Sequence, residues 1–212
     1  MRWWYVPILL ALAWFGFTLT PLVSLYGLAR AVEAGDVDYV DRHVNFRSLR
    51  LSLVRQTTNA ARTALNESGD LDPREQQKLN EAAVGLALAL AETMVTAKTV
   101  VDLLDDGWPE SLDVPKETDA GAASGLRIEG LGRLAAYYLA TEMRGFRTVV
   151  IAVPPEAPRA RQFKIRLRLR GFVWRLVDIE VTEDLRAQMA QKLARTLARM
   201  RAGDRTKEPV AQ

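Results

Sequence analysis

The N-terminal segment constrains this chain more than any other part of the sequence. No charged side chain occurs from Trp3 to Ala29, and the segment WWYVPILLALAWFGFTL, from Trp3 to Leu19, is almost entirely apolar. About 20 helical residues cross a hydrocarbon core of about 30 Å. The pattern therefore predicts a transmembrane anchor over residues 1–29, with an aromatic belt at the membrane interface formed by Trp3, Trp4 and Tyr5.

Two other interpretations of this segment are weaker. A cleaved secretory signal would use Arg2 as its charged start, but the apolar run is long and bulky. The sequence Thr18-Leu19-Thr20-Pro21 also lacks the small residues of a cleavage site. A buried core helix would have to cover apolar aromatic side chains on all of its faces. An uncleaved anchor is therefore favoured.

The flanking charges predict the orientation of the anchor. Arg2 and the free amine precede it, whereas Arg30 is soon followed by the acidic residues Glu33, Asp36 and Asp38. The positive-inside rule retains the more basic flank in the cytoplasm. We expect a single-pass protein of a bacterial cytoplasmic membrane, with a cytoplasmic N-terminus and an extracytoplasmic domain.

The composition limits the chemistry of the remaining chain. The 212 residues include no cysteine and one histidine, His43, which excludes disulfides, thiolate metal sites and cysteine nucleophiles. Charge is divided unevenly, because residues 30–120 carry 10 Lys and Arg against 17 Asp and Glu, and residues 121–212 carry 18 against 9. A basic half indicates either an anionic partner or an internal acidic neighbour.

Helical patterns fill the acidic half. Gly35 is a helix terminator, Asp36 can cap a short helix VDYVDRHV, and a third helix runs from Arg47 to about Glu67. A cap, a first-turn proline and a capping-box acid then begin a helix directed towards Asp105, at Asp72, Pro73 and Glu75. Its apolar middle, residues 82–91, predicts either a buried central helix or a helix covered by a partner.

The pattern changes to period two in the basic half. The stretches 146–153, 163–170 and 172–181 predict antiparallel strands, whereas 132–143 fits either a strand or a helix. Residues 108–132 resemble a loop. Thr182 can cap a basic amphipathic helix whose apolar stripe comprises Leu185, Met189, Leu193, Leu197 and Met200. The fold class is α+β: one domain over 30–203, with a helical half (30–120) and a half of three to four strands and a helix (121–203), followed by a polar tail (204–212).

Two blocks resemble a known bacterial group. The sequence TPLVSLYGLARAVEAGDVDYVDRHVNFRSLRLSLVRQ is similar to the opening of domain-of-unknown-function family 2939, with Asn45 where that pattern has aspartate. The sequence FKIRLRLRGFVWRLVDIEV is similar to its closing strands. The resemblance implies a membrane-anchored or exported α+β domain without known catalytic residues. Helices followed by a curved antiparallel sheet are also similar to cystatin-like and nuclear-transport-factor-like folds, by analogy of fold alone.

The strand 163–170 is the most unusual candidate site. Alternation places its apolar residues on one face and four cations on the other, namely Lys164, Arg166, Arg168 and Arg170. Like charges on one strand face repel each other unless an anion lies opposite. The candidates are Asp178 and Glu180 on the next strand, the acidic helical half, a lipid headgroup or an acidic partner. Nucleic acid is not expected outside the cytoplasm.

Other candidate chemistry has simpler explanations. Asp36, Asp38, Asp41 and His43 form D-x-D-x-x-D-x-H, but a calcium loop needs further oxygen ligands and a glycine turn. Helix capping and solvation explain these acids, and no metal or cofactor is expected. The C-terminal helix could bind anionic lipid or a partner, although packing against the sheet is the commoner use of such a stripe.

The sequence thus predicts a class of function and not a particular one. We expect a non-catalytic, membrane-anchored accessory or binding module that associates with a membrane protein complex. One alternative is a carrier-like domain that holds a lipidic or apolar ligand between sheet and helices. A second is a hydrolase that uses Asp41 and His43, for which no further catalytic motif is present.

Overall fold

The computed structural model describes residues 3–67, 73–106, 125–128, 130–183 and 185–189, together with 191, 195, 196 and 199. In these residues the elements are, in chain order, α1 (Tyr5–Glu33), α2 (Val37–His43), α3 (Phe46–Glu67), α4 (Pro73–Met94), α5 (Ala97–Asp106), α6 (Gly130–Leu139), β1 (Thr141–Met143), β2 (Thr148–Val153), β3 (Phe163–Arg170) and β4 (Val173–Glu180). The described residues from 183 onward are helical. The predicted α+β class is confirmed. Residues 108–124 of the predicted loop, Asp72, the apolar positions 193, 197 and 200, and the tail lie outside the described residues.

The four strands form an antiparallel meander in the order β1-β2-β3-β4. The three strands predicted from period-two alternation are confirmed, and the ambiguous segment 132–143 divides between α6 and the short strand β1. Gly145 and Gly171, at φ values of 99° and 62°, lie in the β1–β2 and β3–β4 turns, where side-chain-bearing residues are strained. In a meander these two turns share one end of the sheet, and the β2–β3 connection lies at the other end.

One face of the sheet supplies one layer of the core. Phe163, Ile165 and Leu167 of β3 are buried, as their alternation predicts, and their neighbours on β2 and β4 are buried beside them. Helices α1, α2, α5 and α6 contribute the opposite layer. The largest fully buried side chain is Tyr137 of α6, and burial raises the pKa of its phenol to about 12.

Helix α1 passes without a break from solvent-exposed positions into this core. Residues 3–16 are exposed, whereas Pro21 and the inward-facing positions after it are buried: Leu22, Leu25, Leu28, Ala29 and Val32. Proline lacks the amide that would bond the carbonyl four residues earlier. That carbonyl, of Phe17, instead accepts a hydrogen bond of 2.7 Å from the Thr20 hydroxyl. The predicted boundary after residue 29 therefore coincides with no structural break.

The connection from α1 to α3 follows the predicted signals. Gly35 has a φ of 64° just after α1, and the Asp36 carboxylate accepts a 2.9 Å hydrogen bond from the Tyr39 amide at the start of α2. After α2, Val44 forms a parallel bridge with Leu176, and α3 then begins. This bridge fixes the helical half to the outer edge of β4.

The helix predicted from Pro73 towards Asp105 is two helices, and the expectation of one central buried helix is wrong. α4 ends at Met94, and the chain bends by 86° before α5, where the Thr96 hydroxyl accepts a hydrogen bond from the Thr99 amide. α4 packs on α3, burying Ala83, Ala87 and Ala91 against Val54. Its middle is apolar all round because its small residues face α3, while Val84 and Leu88 remain 40% and 42% exposed.

A glycine controls the packing at the end of α5. A Cβ atom on Gly125 would lie 1.6 Å from the Asp105 carbonyl oxygen, whereas Gly132 in α6 has open space around it. We expect Gly125→Ala to lower the free energy of unfolding by about 1–3 kcal/mol, because the backbone must move. Gly132→Ala should instead raise it by about 0.5–1 kcal/mol. Chemical unfolding of the full chain in detergent measures both, and equal effects would contradict this packing.

Candidate membrane and anion interface

The N-terminal half of α1 is a continuous exposed apolar surface. Trp3, Trp4 and Tyr5 are 88%, 81% and 64% exposed, and the large apolar side chains from Val6 to Phe15 are also more than half exposed. Among the described residues, α1 is the one unbroken helix that is long and apolar enough to span a membrane. Such a surface is unstable in water and stable in lipid.

The base of this exposed segment is fixed to β4. The Trp174 indole Nε1 donates a 2.9 Å hydrogen bond to the Thr20 hydroxyl, and the Ser24 hydroxyl donates one of 3.2 Å to the Trp174 carbonyl. The rings of Phe17 and Trp174 lie 6.4 Å apart. Because Trp174 is itself buried, these contacts hold the apolar helix in one direction relative to the sheet.

Both hairpin tips at the shared end of the sheet lie near this segment. Phe146, in the β1–β2 turn, is 68% exposed and contacts Trp14 edge to face, with ring centroids 5.7 Å apart. Phe172, in the β3–β4 turn, is fully exposed, and Val173 beside it is 44% exposed. The tips therefore lie at the level where α1 leaves the domain.

The four cations of β3 divide into two pairs with different surroundings. Lys164 lies 3.7 Å from Glu180, and Arg166 lies 2.8 Å from Asp178, with both acids on β4. These partners are the strand acids that the sequence offered as candidates. Two of the four cations that were predicted to bind an anion therefore have internal partners.

The other two cations, nearer the tips, have different neighbours. No ion pair of Arg168 or Arg170 occurs among the residues that the structure describes. Arg168 instead pairs across the strands with Arg175, and both side chains are exposed. Directly opposed like charges destabilise a sheet unless an anion lies between them. The anion site stays a prediction, and Arg168 and Arg170 at the tip end of the strand are the two of its four cations for which the described residues supply no ion pair.

The carboxylate of Asp178 joins the sheet to α3. It accepts hydrogen bonds from the Ser52 hydroxyl and the Arg166 guanidinium. Gln56 adds a 3.0 Å hydrogen bond to the Ile179 carbonyl and accepts one of 3.3 Å from the Val181 amide. The nearly buried carboxylate thus has partners for both oxygens, as a buried charge requires. This network has a structural role.

The sole histidine is engaged with its own helix. The His43 ring stacks on Tyr39 with centroids 3.9 Å apart, and its Nδ1 lies 2.9 Å from the Tyr39 carbonyl oxygen. In the described part of the chain, no hydrogen bond or ion pair joins His43 to Asp41. In those same residues, no three His, Asp or Glu side chains are grouped so that they could hold a metal ion. Asp36 acts as a helix cap.

An apolar cleft lies between the helices and the end of β4. Its lining includes Leu49, Leu53, Val100, Leu103, Ile179 and Met189, and its volume is about 50 Å³. Ligand pockets for small molecules usually occupy about 300–1,000 Å³. A lipid chain does not fit this cleft as the structure has it, so the geometry does not favour the carrier-like alternative.

These features define a class of protein: an α+β domain whose own core includes the end of an apolar N-terminal helix that is long enough to span a membrane. Over residues 10–103 the chain is similar to the family described as "Protein of unknown function (DUF2939)", whose model matches that segment. The predicted resemblance is confirmed over α1 to α5. The second block, the closing strands, lies beyond the match. No curated protein and no solved structure matches the chain, and the cystatin-like and nuclear-transport-factor-like folds stay analogies.

Sequence reasoning missed part of this surface. Phe146 and Phe172 are the first residues of two predicted strands, yet both lie in turns and are exposed. The tripeptide Arg-Gly-Phe occurs twice, at 144–146 and 170–172, once in each tip. This repetition was the signal that could have identified the two turns as equivalent surface features.

The two classes of strand cation should respond differently to neutralisation. We expect Arg166→Gln to lower the free energy of unfolding by about 1–2 kcal/mol, because it leaves the nearly buried Asp178 carboxylate without its cation. Arg168→Gln, on the same face, should change it by less than about 0.5 kcal/mol. Denaturant unfolding in detergent compares the variants. A larger loss for Arg168→Gln would contradict this assignment.

Proposed function

We propose that this protein is a non-catalytic accessory module, held at a membrane by α1 and associated with a membrane protein complex. The observation that carries the proposal is the continuity of α1, in which an exposed apolar stretch becomes part of the folded core. Proteins that act only as tethered carriers need no such rigid connection. A domain with a fixed orientation at the bilayer is suited to present one surface to a neighbouring membrane protein.

The surface that we propose for this partner is the outer side of α4. Val84, Gly85 and Leu88 of α4 are exposed. Among the described elements, α4 packs mainly against α3. Leu51 of α3 is also 50% exposed. Apolar residues that are uncovered on two adjacent helices are typical of protein interaction sites. Helix-in-groove binding or helix pairing would cover them.

The proposed module has an extracytoplasmic domain. Support comes from the charges nearest to the anchor in sequence, because Arg2 precedes it and the acidic residues Glu33, Asp36 and Asp38 follow. The arginines of the hairpin tips do not alter this argument, because the insertion rule counts residues that are close to the span along the chain.

The absence of cysteine makes the orientation directly testable. Arg161, exposed in the β2–β3 connection, lies at the end of the sheet away from the hairpin tips. We expect the single cysteine of Arg161→Cys to react with a membrane-impermeant maleimide in intact spheroplasts, because it faces outward. Labelling that occurs only after the membrane is opened would place the domain in the cytoplasm and contradict the proposed topology.

The partner surface can be tested with one matched pair of variants. Val84 on α4 and Val37 on α2 are both 40% exposed, so Val→Glu changes charge and shape equally at the two sites. After mild detergent extraction we expect a membrane protein to co-purify with the wild-type chain. Val84→Glu should reduce its recovery severalfold, because a charge cannot be buried unpaired, and Val37→Glu should not. Purification as a single species, or equal recovery with both variants, would contradict the proposal.

A further inference from the structure

We propose that the two Arg-Gly-Phe hairpin tips form a membrane-docking surface, which inserts Phe146 and Phe172 at the lipid interface and binds the phosphates of anionic lipids through neighbouring arginines. The proposal rests on the proposed membrane anchoring by α1 and goes beyond it. It states that the folded domain itself contacts the bilayer on the side from which the anchor emerges. We call this surface the tip surface, comprising Arg144, Phe146, Arg147, Arg168, Arg170, Phe172 and Arg175.

The sheet topology places both tips at one end. β1 to β4 form a simple meander, so the β1–β2 and β3–β4 turns lie at the same end of the sheet. The backbone register agrees, because the Leu169 amide donates a 2.8 Å hydrogen bond to the Arg147 carbonyl, directly between the two turns. The residues of the two tripeptides are distant in sequence and adjacent in the sheet.

The same end of the sheet lies beside α1, at the point where the exposed half of this helix leaves the domain. Phe146 contacts Trp14, which lies within the exposed half of α1 and is itself 53% exposed. Trp174, two residues after Phe172, is bonded to Thr20 of α1. Any membrane that surrounds Trp14 therefore also reaches the Phe146 ring.

The length of α1 places the bilayer against the domain. The residues before Pro21 that are exposed or half-buried, 3–20, extend about 27 Å at 1.5 Å per residue. The hydrocarbon core of a bilayer is about 30 Å thick. When Trp3 and Trp4 lie at one interface, the other interface falls at the level of Thr20 and the tips. The domain cannot stand away from the headgroups.

The ion pairing of the charged residues on β3 and β4 decreases towards this end of the sheet. At the far end, Lys164 has Glu180 as its partner, and in the middle Arg166 has Asp178. Towards the tips, Arg168 and Arg175 oppose each other across the strands, and within the described residues neither has an ion pair. An anion from outside the domain would relieve this repulsion. Guanidinium groups match phosphate geometry well.

The combination favours a bilayer as the occupant. Exposed phenylalanine next to arginine satisfies both layers of a membrane interface, because the ring enters the acyl boundary while the cation remains at the phosphates. Among the cations of the tip surface, Arg144 has a described acidic neighbour, because its guanidinium lies 3.6 Å from the Glu142 carboxylate. The tip surface is also continuous with the proposed anchor, so lipid is already present beside it.

The experiment uses the full chain in vesicles and single nitroxide labels, which the cysteine-free sequence permits. One label is placed through Val173→Cys beside Phe172, and the other through Arg161→Cys at the opposite end of the sheet. Vesicles contain phosphatidylcholine, with or without phosphatidylglycerol. We expect the label at 173 to be more accessible to oxygen than to a water-soluble nickel chelate when phosphatidylglycerol is present, and the label at 161 to show the reverse.

Variants of the arginines and of the phenylalanines then separate the electrostatic contribution to membrane docking from the apolar one. In the Val173→Cys background, Arg168→Glu with Arg170→Glu should increase nickel accessibility severalfold, and so should Phe146→Ser with Phe172→Ser. Arg159→Glu with Arg161→Glu makes the same charge change at the opposite end and should have no effect. Omission of phosphatidylglycerol should act like the arginine variants, since anionic lipid is then absent.

The outcomes distinguish this proposal from the anchoring on which it rests. Chains that float with the vesicles but keep the label at 173 in water overturn the tip surface and leave the anchor intact. Chains that do not float overturn both. A label that is water-exposed in vesicles but shielded in native membranes indicates a protein on this surface and also overturns lipid docking. Equal effects of the tip and opposite-end variants would overturn the assigned site.

Discussion

The structure depends on the hydrogen bonds and ring contacts that fix α1 to β4. Trp174 is buried, its indole bonds Thr20, and its ring lies beside Phe17. Directly after this contact, the buried positions of α1 enter the core. Because one rigid helix contributes both to the apolar exposed surface and to the core, the orientation of the domain relative to that surface is set by core packing and not by a linker.

A second constraint, the Asp178 network, holds the helical half on the sheet. It satisfies a nearly buried carboxylate through Ser52 of α3 and Arg166 of β3, and so connects elements from both halves of the sequence. Arg166 in this network and Lys164 beside Glu180 are the two β3 cations farthest from the tips, and both have internal partners. The remaining arginines of β3 lie at the end where α1 emerges. The positive charge without an internal partner is therefore concentrated on that side of the domain.

The sequence was most informative where a pattern is local. Period-two alternation predicted β2, β3 and β4, and the Asp36 cap and Gly35 predicted the turn between α1 and α2. It failed between Met94 and Ala97, where an 86° bend divides the expected single helix. No proline or glycine occurs at residues 95 and 96, so local signals for a break were weak, and packing against α2 and α1 determines the direction of α5.

The sequence by itself determined that residues 3–29 form an uncharged, mostly apolar segment, that strands follow helices, and that one strand carries alternating cations. These properties depend on residue spacing along a single segment. Only the tertiary structure decided that α1 enters the core, that Lys164 and Arg166 are paired whereas Arg168 faces Arg175, and that two distant Arg-Gly-Phe tripeptides lie together. These facts depend on strand register and on which end of the sheet each turn occupies, and neither is encoded within one segment.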